Sequence, residues 1–384
     1  MRRTGDRRGR AAQHAAAMLC SLAFGAVSPA FAGNGTGVRT ADPLTWPVPT
    51  PAEAAARARA GDAFTADLVA ALLARSEPRL QLAAAVLMTS LPDRQAEAQT
   101  LFARIRRDSD DPVVLHVAAN KCPFDAATCD ADGAIDALRA RDPRDAEAIF
   151  LALDRAKRQG DSAAFDPLLD ALADAEFRHG HLLAAYRWWS EVFGLMGDDP
   201  RLPMIGGSLA VDARPLTPEI AIGVAALGRA WAVPFVGRGA LREGCAAALA
   251  DPARSGRRST CRAVAARLRE QGPTRGDQIV GYRLGWAMAS DDAERARLEL
   301  DWRRREWQAR AADIDTVPPA QHPGGLAGWR ASTARYFALL HQQPTESAAM
   351  AIHRAEVGAP SEPPPDYRPT YTLAEHAVRA ATQR

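Results

Sequence analysis

The chain has 384 residues, of which 47% are hydrophobic and 24% charged, and its formal net charge is +2. These proportions are typical of a folded soluble protein that can bury a core. A net charge this close to zero gives no reason to expect nucleic acid or an anionic membrane as a partner.

The N-terminal segment 1–32 has the pattern of a secretory signal peptide. A stretch with five arginines leads into an apolar segment from Ala15 to Val27. Ala30 and Ala32 follow, and they form the small-residue pattern that signal peptidase requires just before its cleavage site. We therefore expect export, cleavage near Ala32 and a periplasmic or secreted location. An uncleaved anchor is the alternative, but a membrane-spanning helix needs roughly twenty apolar residues. A lipoprotein is disfavoured because Cys20 lies inside the apolar run.

Removal of this leader changes the charge of the protein. Residues 1–32 carry five arginines and one acid, so the whole-chain value of +2 becomes −2 in the mature chain. The basic character belongs mostly to the leader. We therefore expect neither nucleic acid nor an integral membrane segment after cleavage, and the expected partner is another envelope protein or a peptide.

Four cysteines remain in the mature chain, at Cys122, Cys129, Cys245 and Cys261. An even number in an exported chain favours disulfide bonds over metal or redox chemistry. Three pairings are possible, and we expect local pairing, Cys122 with Cys129 and Cys245 with Cys261, because each pair brackets a turn-rich connection. A zinc site is the alternative, but neither pair has the short C-x-x-C spacing that zinc sites use.

Helical periodicity begins after a polar N-terminal segment. Residues 33–50 are rich in Gly, Thr and Pro, which predicts a disordered mature N-terminus. From Pro51 onward apolar residues recur at the spacing of a helix face, as in Phe64, Leu68 and Leu72. No segment shows sustained alternation, so we expect an all-α fold, with a helical-repeat domain over residues 51–196.

Acid–proline pairs recur within this domain. Glu77-Pro78, Asp111-Pro112 and Asp142-Pro143 follow one another at nearly regular intervals. Proline suits the first helical turn, and a preceding acid suits the positive end of the helix dipole. Gly160-Asp161 marks a turn between two helices. The spacing predicts an α-solenoid of stacked helical hairpins.

In these features residues 77–175 loosely resemble the tetratricopeptide family, whose repeat has a similar length, Gly-Asp between its helices and Asp-Pro near its end. The resemblance implies a superhelical scaffold that binds peptides. Two positions where the family has small residues, Leu153 and Phe165, are large here, and the repeat after Pro112 is shortened and carries the Cys122–Cys129 insertion. A generic helical solenoid remains the alternative.

The periodicity is lost between residues 197 and 218, which predicts a linker loop before a C-terminal helical domain at 219–357. In that domain Gly281 and Gly285 should leave a flat patch that another helix can approach closely. A long helix follows from Asp291 to about Ala312. Its acids precede bases by four residues, as Glu299 precedes Arg303. Arg303-Arg304-Arg305 is therefore interpreted as part of a solvated face, with an anion site as the alternative.

Residues 358–384 are predicted to be a tail. Pro360 to Pro369 has the composition of an extended, proline-rich spacer. Residues Thr372 to Thr382 have the pattern of a short terminal helix that either docks back on the protein or stays mobile.

No catalytic, cofactor-binding or metal motif is found in the sequence: the serine-hydrolase elbow, the zinc-protease helix and the phosphate loop are all missing. The candidate contact surface is His179, His181, Trp188 and Trp189. The two histidines are a metal candidate only from a loop or a frayed helix end. The adjacent tryptophans cannot both face inward on one helix, so one of them is expected to be exposed.

The pair Glu346-Ser347 is similar to the catalytic pair of lytic transglycosylases, but the accompanying Gly-Leu motif, at Gly194-Leu195, precedes it instead of following. A first-turn acid at a helix start is the simpler interpretation. The sequence therefore predicts an exported, non-catalytic binding or scaffold protein of the bacterial envelope. A periplasmic cell-wall or peptide hydrolase with an unrecognised site, and a spacer without a ligand, are the alternatives.

Overall fold

The computed structural model describes residues 50–122, 124–177, 181–202, 216–231, 236–250, 255–312, 322 and 324–375. Within these ranges the chain is all-α, as predicted, with sixteen α-helices and no strand. The predicted signal peptide, the predicted disordered segment before Thr50 and most of the predicted terminal helix lie outside the described residues.

Nine helices precede the region of the predicted linker. They are α1 (Pro51–Leu73), α2 (Pro78–Met88), α3 (Gln95–Asp108), α4 (Pro112–Lys121), α5 (Ala126–Cys129), α6 (Ala131–Arg141), α7 (Ala146–Gln159), α8 (Ser162–Ala173) and α9 (His181–Gly194). A 3-10 turn, Pro92–Arg94, lies before α3.

Seven helices follow. They are α10 (Pro218–Trp231), α11 (Arg238–Ala250), α12 (Ser255–Gln271), α13 (Arg275–Met288), α14 (Asp292–Ala312), α15 (Gly325–Gln342) and α16 (Glu346–Glu356). No helix among the described residues combines the length and apolar character needed to cross a bilayer.

Local capping chemistry sets several helix starts where the sequence predicts them. Thr50 and Glu53 form a capping box at the start of α1. Helices α2 and α4 begin at Pro78 and Pro112, each preceded by its acid, and the carboxylate of Asp111 accepts the Val113 amide. The turn between α7 and α8 is also as predicted, because Gly160 has a φ of 68° that an L side chain rarely adopts.

The third acid–proline pair does not open a helix, which corrects the sequence interpretation. Asp142-Pro143 lies in a turn, where the Asp142 carboxylate accepts the Arg144 amide at 3.0 Å. Helix α7 begins at Ala146 instead, because Asp145 accepts the amides of Glu147 and Ala148 as its N-cap. The starts of α2, α4 and α7, at Pro78, Pro112 and Ala146, are therefore evenly spaced along the chain.

Two compact units divide the chain. One contains residues 1–101 and 192–224, and the other contains residues 102–191 and 225–384. In the second unit α8 packs against α12, and α7 packs against α11. The division thus differs from the limits expected from the sequence, 51–196 and 219–357. The physical reason is that the apolar faces of α7 and α8 are covered by α11 and α12, which come later in the chain.

The cysteines pair locally. Cys122 lies opposite Cys129, and Cys245 lies opposite Cys261, with a Cα–Cα distance of 5.8 Å in each pair. The second pair joins α11 to α12. Both pairings agree with the prediction.

Helices α12 and α13 approach each other closely at the glycines identified in the sequence. A Cβ built on Gly281 would lie 2.5 Å from the backbone nitrogen of Arg269 and 2.9 Å from the carbonyl oxygen of Ala265. A Cβ on Gly285 would meet first the guanidinium end of Arg269, at 3.4 Å. Only the first glycine is therefore required by the packing of backbone against backbone.

We expect Gly281→Ala to lower the free energy of unfolding by about 1–3 kcal/mol, because the added methyl group forces two helix backbones apart. Urea unfolding followed by circular dichroism measures the change. The matched control is Gly285→Ala, which adds the same methyl group one turn later against a flexible side chain. Equal losses in the two variants would contradict the close approach at Gly281.

Candidate functional site

A buried cation joins three helix starts in the second unit. Arg238, the first residue of α11, is 8% exposed. Its guanidinium lies 2.6 Å from a carboxylate oxygen of Glu147 and 2.8 Å from one of Asp277. These acids stand in the first turns of α7 and α13, where the helix dipole favours negative charge. The guanidinium also lies over the Phe150 ring, 3.9 Å from its centroid.

The charges of this group support one another. Burial by itself raises the pKa of Glu147, but the charges of Arg238 and His181 outweigh burial and lower that pKa to about 2. Burial likewise lowers the pKa of Arg238, and the charges of Asp277 and Glu147 reverse the effect and raise it. The hydroxyl of Thr274 donates to Asp277 at 2.7 Å. Glu147 and Arg238 therefore both stay charged throughout the physiological range.

Two stacked histidines lie next to the buried cation. The rings of His116 and His181 are nearly parallel, with centroids 4.4 Å apart and an interplanar angle of 9°. His181 Nε2 lies 3.3 Å from a carboxylate oxygen of Asp145, the N-cap of α7. His116 Nε2 lies 3.2 Å from the side-chain nitrogen of Asn120. The pair links α4 and α9 to the start of α7.

The two histidines differ in charge. Burial lowers the pKa of His116, and the neighbouring charge of His181 lowers it further, to about 3. For His181 burial also acts to lower the pKa, but the Asp145 hydrogen bond and the Glu147 charge outweigh it, so the pKa is raised. The His116 ring is therefore neutral near neutral pH, whereas His181 holds its proton to higher pH than an ordinary histidine.

The metal interpretation of the histidines finds no support in the geometry. His179 lies outside the described residues, and His181 faces Asp145 and His116. Within the described ranges no group of three or more His, Cys, Asp or Glu side chains is placed to hold a metal ion. The contacts of His181 stabilise the interior of the second unit.

The structure corrects the expectation for the adjacent tryptophans. Trp188 and Trp189 are 5% and 4% exposed, with ring centroids 4.6 Å apart. Both are buried because α9 is covered on more than one side: Tyr186 packs against Phe337 of α15, and Arg229 of α10 lies over the Trp189 ring. Neither tryptophan provides the exposed contact surface that the sequence suggested.

Glu346 also has a structural position. It is 3% exposed, and its carboxylate accepts the backbone amide of Arg275 at 2.9 Å, in the first turn of α13. The Ser347 hydroxyl donates to the Gly272 carbonyl at 3.2 Å. The pair therefore ties the start of α16 to the start of α13, in agreement with the first-turn interpretation.

The more informative surface is the side of α14 that was predicted to be solvated. Residues Pro360–Ala374, which we call the C-terminal strap, lie along this helix. Pro360 is near Trp307 and Leu373 is near Glu299, so the strap runs antiparallel to α14. The strap is therefore a bound segment, which corrects the interpretation of Pro360–Pro369 as a spacer.

The first part of the strap is held by donors on α14. Arg303 donates to the carbonyl oxygens of Pro364, Pro365 and Tyr367, at 2.5, 3.0 and 3.1 Å. Trp307 Nε1 donates to the Pro360 carbonyl at 3.0 Å. In addition, Gln308 donates to Ser361, and Arg304 pairs with Glu362.

The second part of the strap is held mainly by acceptors. Both carboxylate oxygens of Glu306 accept the Thr370 amide at 3.0 Å, and Glu299 accepts the amides of Leu373 and Ala374 at 3.1 and 3.0 Å. Two donors also act here: Trp302 Nε1 lies 2.8 Å from the Tyr371 carbonyl, and Arg310 donates to the Thr370 hydroxyl at 2.9 Å. We call the six α14 residues that bind strap main chain the α14 face: Glu299, Trp302, Arg303, Glu306, Trp307 and Gln308.

A leucine anchors the end of the strap. Leu373 is 1% exposed and packs in a cluster with Tyr282, Ala289, Leu298 and Trp302. Sequence reasoning missed the α14 face because it assigned Glu299 and Arg303 to each other. The available signal was the coexistence of a tryptophan-rich helix with a proline-rich segment whose carbonyls need donors.

Comparison of the chain with protein-family models, with curated proteins and with solved structures found no match.

We expect Arg238→Ala to lower the free energy of unfolding by about 3–5 kcal/mol, because two buried carboxylates lose their shared cation. Chemical denaturation measures the loss. Arg297→Ala, which removes an exposed arginine of α14, is the control and should change stability by no more than about 0.5 kcal/mol. A loss at Arg238 as small as that of the control would show that the cation does not hold the unit together.

The Asp145–His181 pair should make stability depend on pH. The pKa of His181 is raised above 6.5 in the folded state, so its stabilising contribution is complete below pH 6.5 and is lost as pH rises through the folded pKa. Asp145→Asn retains an N-cap of similar quality and removes the charge. We expect unfolding measured from pH 6 to pH 9 to show a smaller loss of stability in this variant. Identical slopes would argue against the pairing.

Proposed function

We propose that the protein is an exported, non-catalytic binding or scaffold protein of the bacterial envelope, and that its binding surface is the α14 face. The observation that carries this proposal is the manner in which α14 holds the strap. Side chains of one helix bind main-chain carbonyls or amides at intervals from Pro360 to Ala374. Recognition through main-chain groups depends more on the conformation of the backbone than on the side chains.

The location is proposed from the sequence and the cysteines. The leader has the pattern of an export signal, and two disulfide pairs are compatible with an oxidising compartment. The evenly spaced starts of α2, α4 and α7 support the proposal of stacked helical hairpins in the first half.

The hydrolase alternative receives no comparable support. His181 and the Glu346-Ser347 pair bind other parts of the fold, whereas His179 and most of the loop at 197–218, where such a site was considered, lie outside the described residues. The α14 face presents hydrogen-bond donors and acceptors to a backbone, and it does not present a nucleophile to a bond. A binding role therefore fits this geometry better.

Photo-crosslinking in isolated envelopes tests the proposal. A photoreactive amino acid replaces Arg304, at the exposed edge of the α14 face, in the full chain carrying Leu373→Asp, which removes the anchor of the strap. We expect a crosslink to an envelope protein that maps to a proline-containing segment and is suppressed by excess synthetic strap peptide.

The control places the same amino acid at Ala96, an exposed position on α3. Adducts no stronger at position 304 than at position 96, or adducts that the strap peptide leaves unchanged, would contradict the proposal.

A further inference from the structure

The hydrogen bonds of the α14 face change character along the strap, from mainly donated by α14 to mainly accepted by it. Arg303, Trp307 and Gln308 supply donors to residues 360–367, and Glu299 and Glu306 supply acceptors to residues 370–374. The division follows the strap sequence, because on α14 itself the acceptor Glu306 lies between the donors Arg303 and Trp307. A segment that binds in this direction must therefore offer carbonyls first and amides later.

The proline pattern of the strap matches that division. Prolines occupy positions 360, 363, 364, 365 and 369, all before the first amide that α14 accepts, at Thr370. A proline has a carbonyl and no N–H, so it leaves no unpaired donor against a surface that itself donates. Proline also holds the chain extended before it binds, which lowers the entropy lost on binding.

Side-chain selection is concentrated at the far end of the strap. Leu373 inserts into the cluster formed by Tyr282, Ala289, Leu298 and Trp302, and Tyr371 is 9% exposed. The side chains at positions 360–362, 364–366 and 368 are exposed. The surface thus selects a proline-rich backbone that is followed by a buried apolar residue. In the strap this residue is Leu373, three positions after Thr370, whose amide is the first that α14 accepts.

The strap can separate from α14 without unfolding a helix. Helix α16 ends at Glu356, and the connection turns at Gly358, which has a φ of 65°. From Pro360 to Pro369 the strap contacts α14 through hydrogen bonds, most of them at an exposed edge, and through the Tyr367 ring, which lies edge-on to Trp307. Exposed hydrogen bonds open at low free-energy cost. The most buried side chains of the strap, Tyr371 and Leu373, lie at its far end.

We propose that the strap is an intramolecular ligand that keeps the α14 face occupied, and that the partner displacing it is a proline-rich protein segment carrying the same apolar anchor. This inference rests on the proposed function, since it assigns regulation and a ligand class to the same surface. The strap is tethered beside its site and competes at a high effective concentration. A segment added in solution therefore binds only to the fraction of molecules whose strap is open.

The test uses a fluorescent peptide of residues 360–375 and the full chain, with binding followed by fluorescence anisotropy. We expect Leu373→Asp in the protein to tighten peptide binding by about tenfold or more, because it increases the fraction of open molecules. Adding Arg303→Ala to that variant should abolish the gain, whereas adding Arg297→Ala on the same helix should preserve it. A peptide with the same Leu-to-Asp change should bind neither protein.

Hydrogen exchange on the same proteins establishes the state of the strap. In the wild-type chain the amides of Thr370, Leu373 and Ala374 should be protected, and in Leu373→Asp they should exchange while α13 and α14 stay protected. If Leu373→Asp also loses protection in those helices, Thr370→Pro replaces it, since this exposed substitution removes the amide that Glu306 accepts and leaves the apolar cluster intact.

The outcomes separate the two claims. Equal peptide affinity for the wild-type chain and the released variant would overturn the self-occupancy inference and leave the proposed binding function standing. Absence of binding to a variant whose strap is released and whose helices remain protected would overturn the proposed function itself. Tighter binding after release, lost with Arg303→Ala, supports both.

Discussion

The interior of the larger unit depends on the position of one buried arginine. Arg238 must lie between Glu147 and Asp277, and each of these acids stands in the first turn of a helix. Removal of a guanidinium from water costs several kcal/mol unless carboxylates meet it with good geometry. The starts of α7, α11 and α13 are therefore fixed relative to one another. Two carboxylates face one guanidinium, which leaves a net negative charge. Both carboxylates lie at helix N-termini, where the helix dipole supplies a partial positive charge of about half a unit.

Most of the helical architecture is predictable from the sequence because its determinants are local. A capping box at Thr50 and Glu53, or an acid before Pro112, needs only three or four neighbouring residues to define a helix start. The same reasoning fails at Asp142-Pro143 because two aspartates compete there. Asp142 accepts the Arg144 amide and closes a turn, and Asp145 takes the capping position three residues later. The pattern of residue types alone does not decide between them.

The candidate sites were less predictable because their partners are distant in sequence. Arg238 is separated from Asp277 by 39 residues, and Glu306 is separated from Thr370 by 64. On α14 several acids could be paired with a base four residues later, so the sequence offered no reason to look for partners elsewhere. Glu299 and Arg303 in fact bind main-chain groups of the strap. For Trp188 and Trp189 the rule that one helix face is buried did not hold, since α9 is enclosed on more than one side.

The bond between Cys245 and Cys261 has a consequence for how the molecule responds to proteolysis. It joins α11, which carries Arg238, to α12, which packs against α13. Cleavage anywhere between the two cysteines, which are 16 positions apart, would leave both parts of the polypeptide covalently connected. A molecule nicked there would migrate as one species until its thiols were reduced. Integrity judged without a reducing agent would therefore overlook a broken main chain.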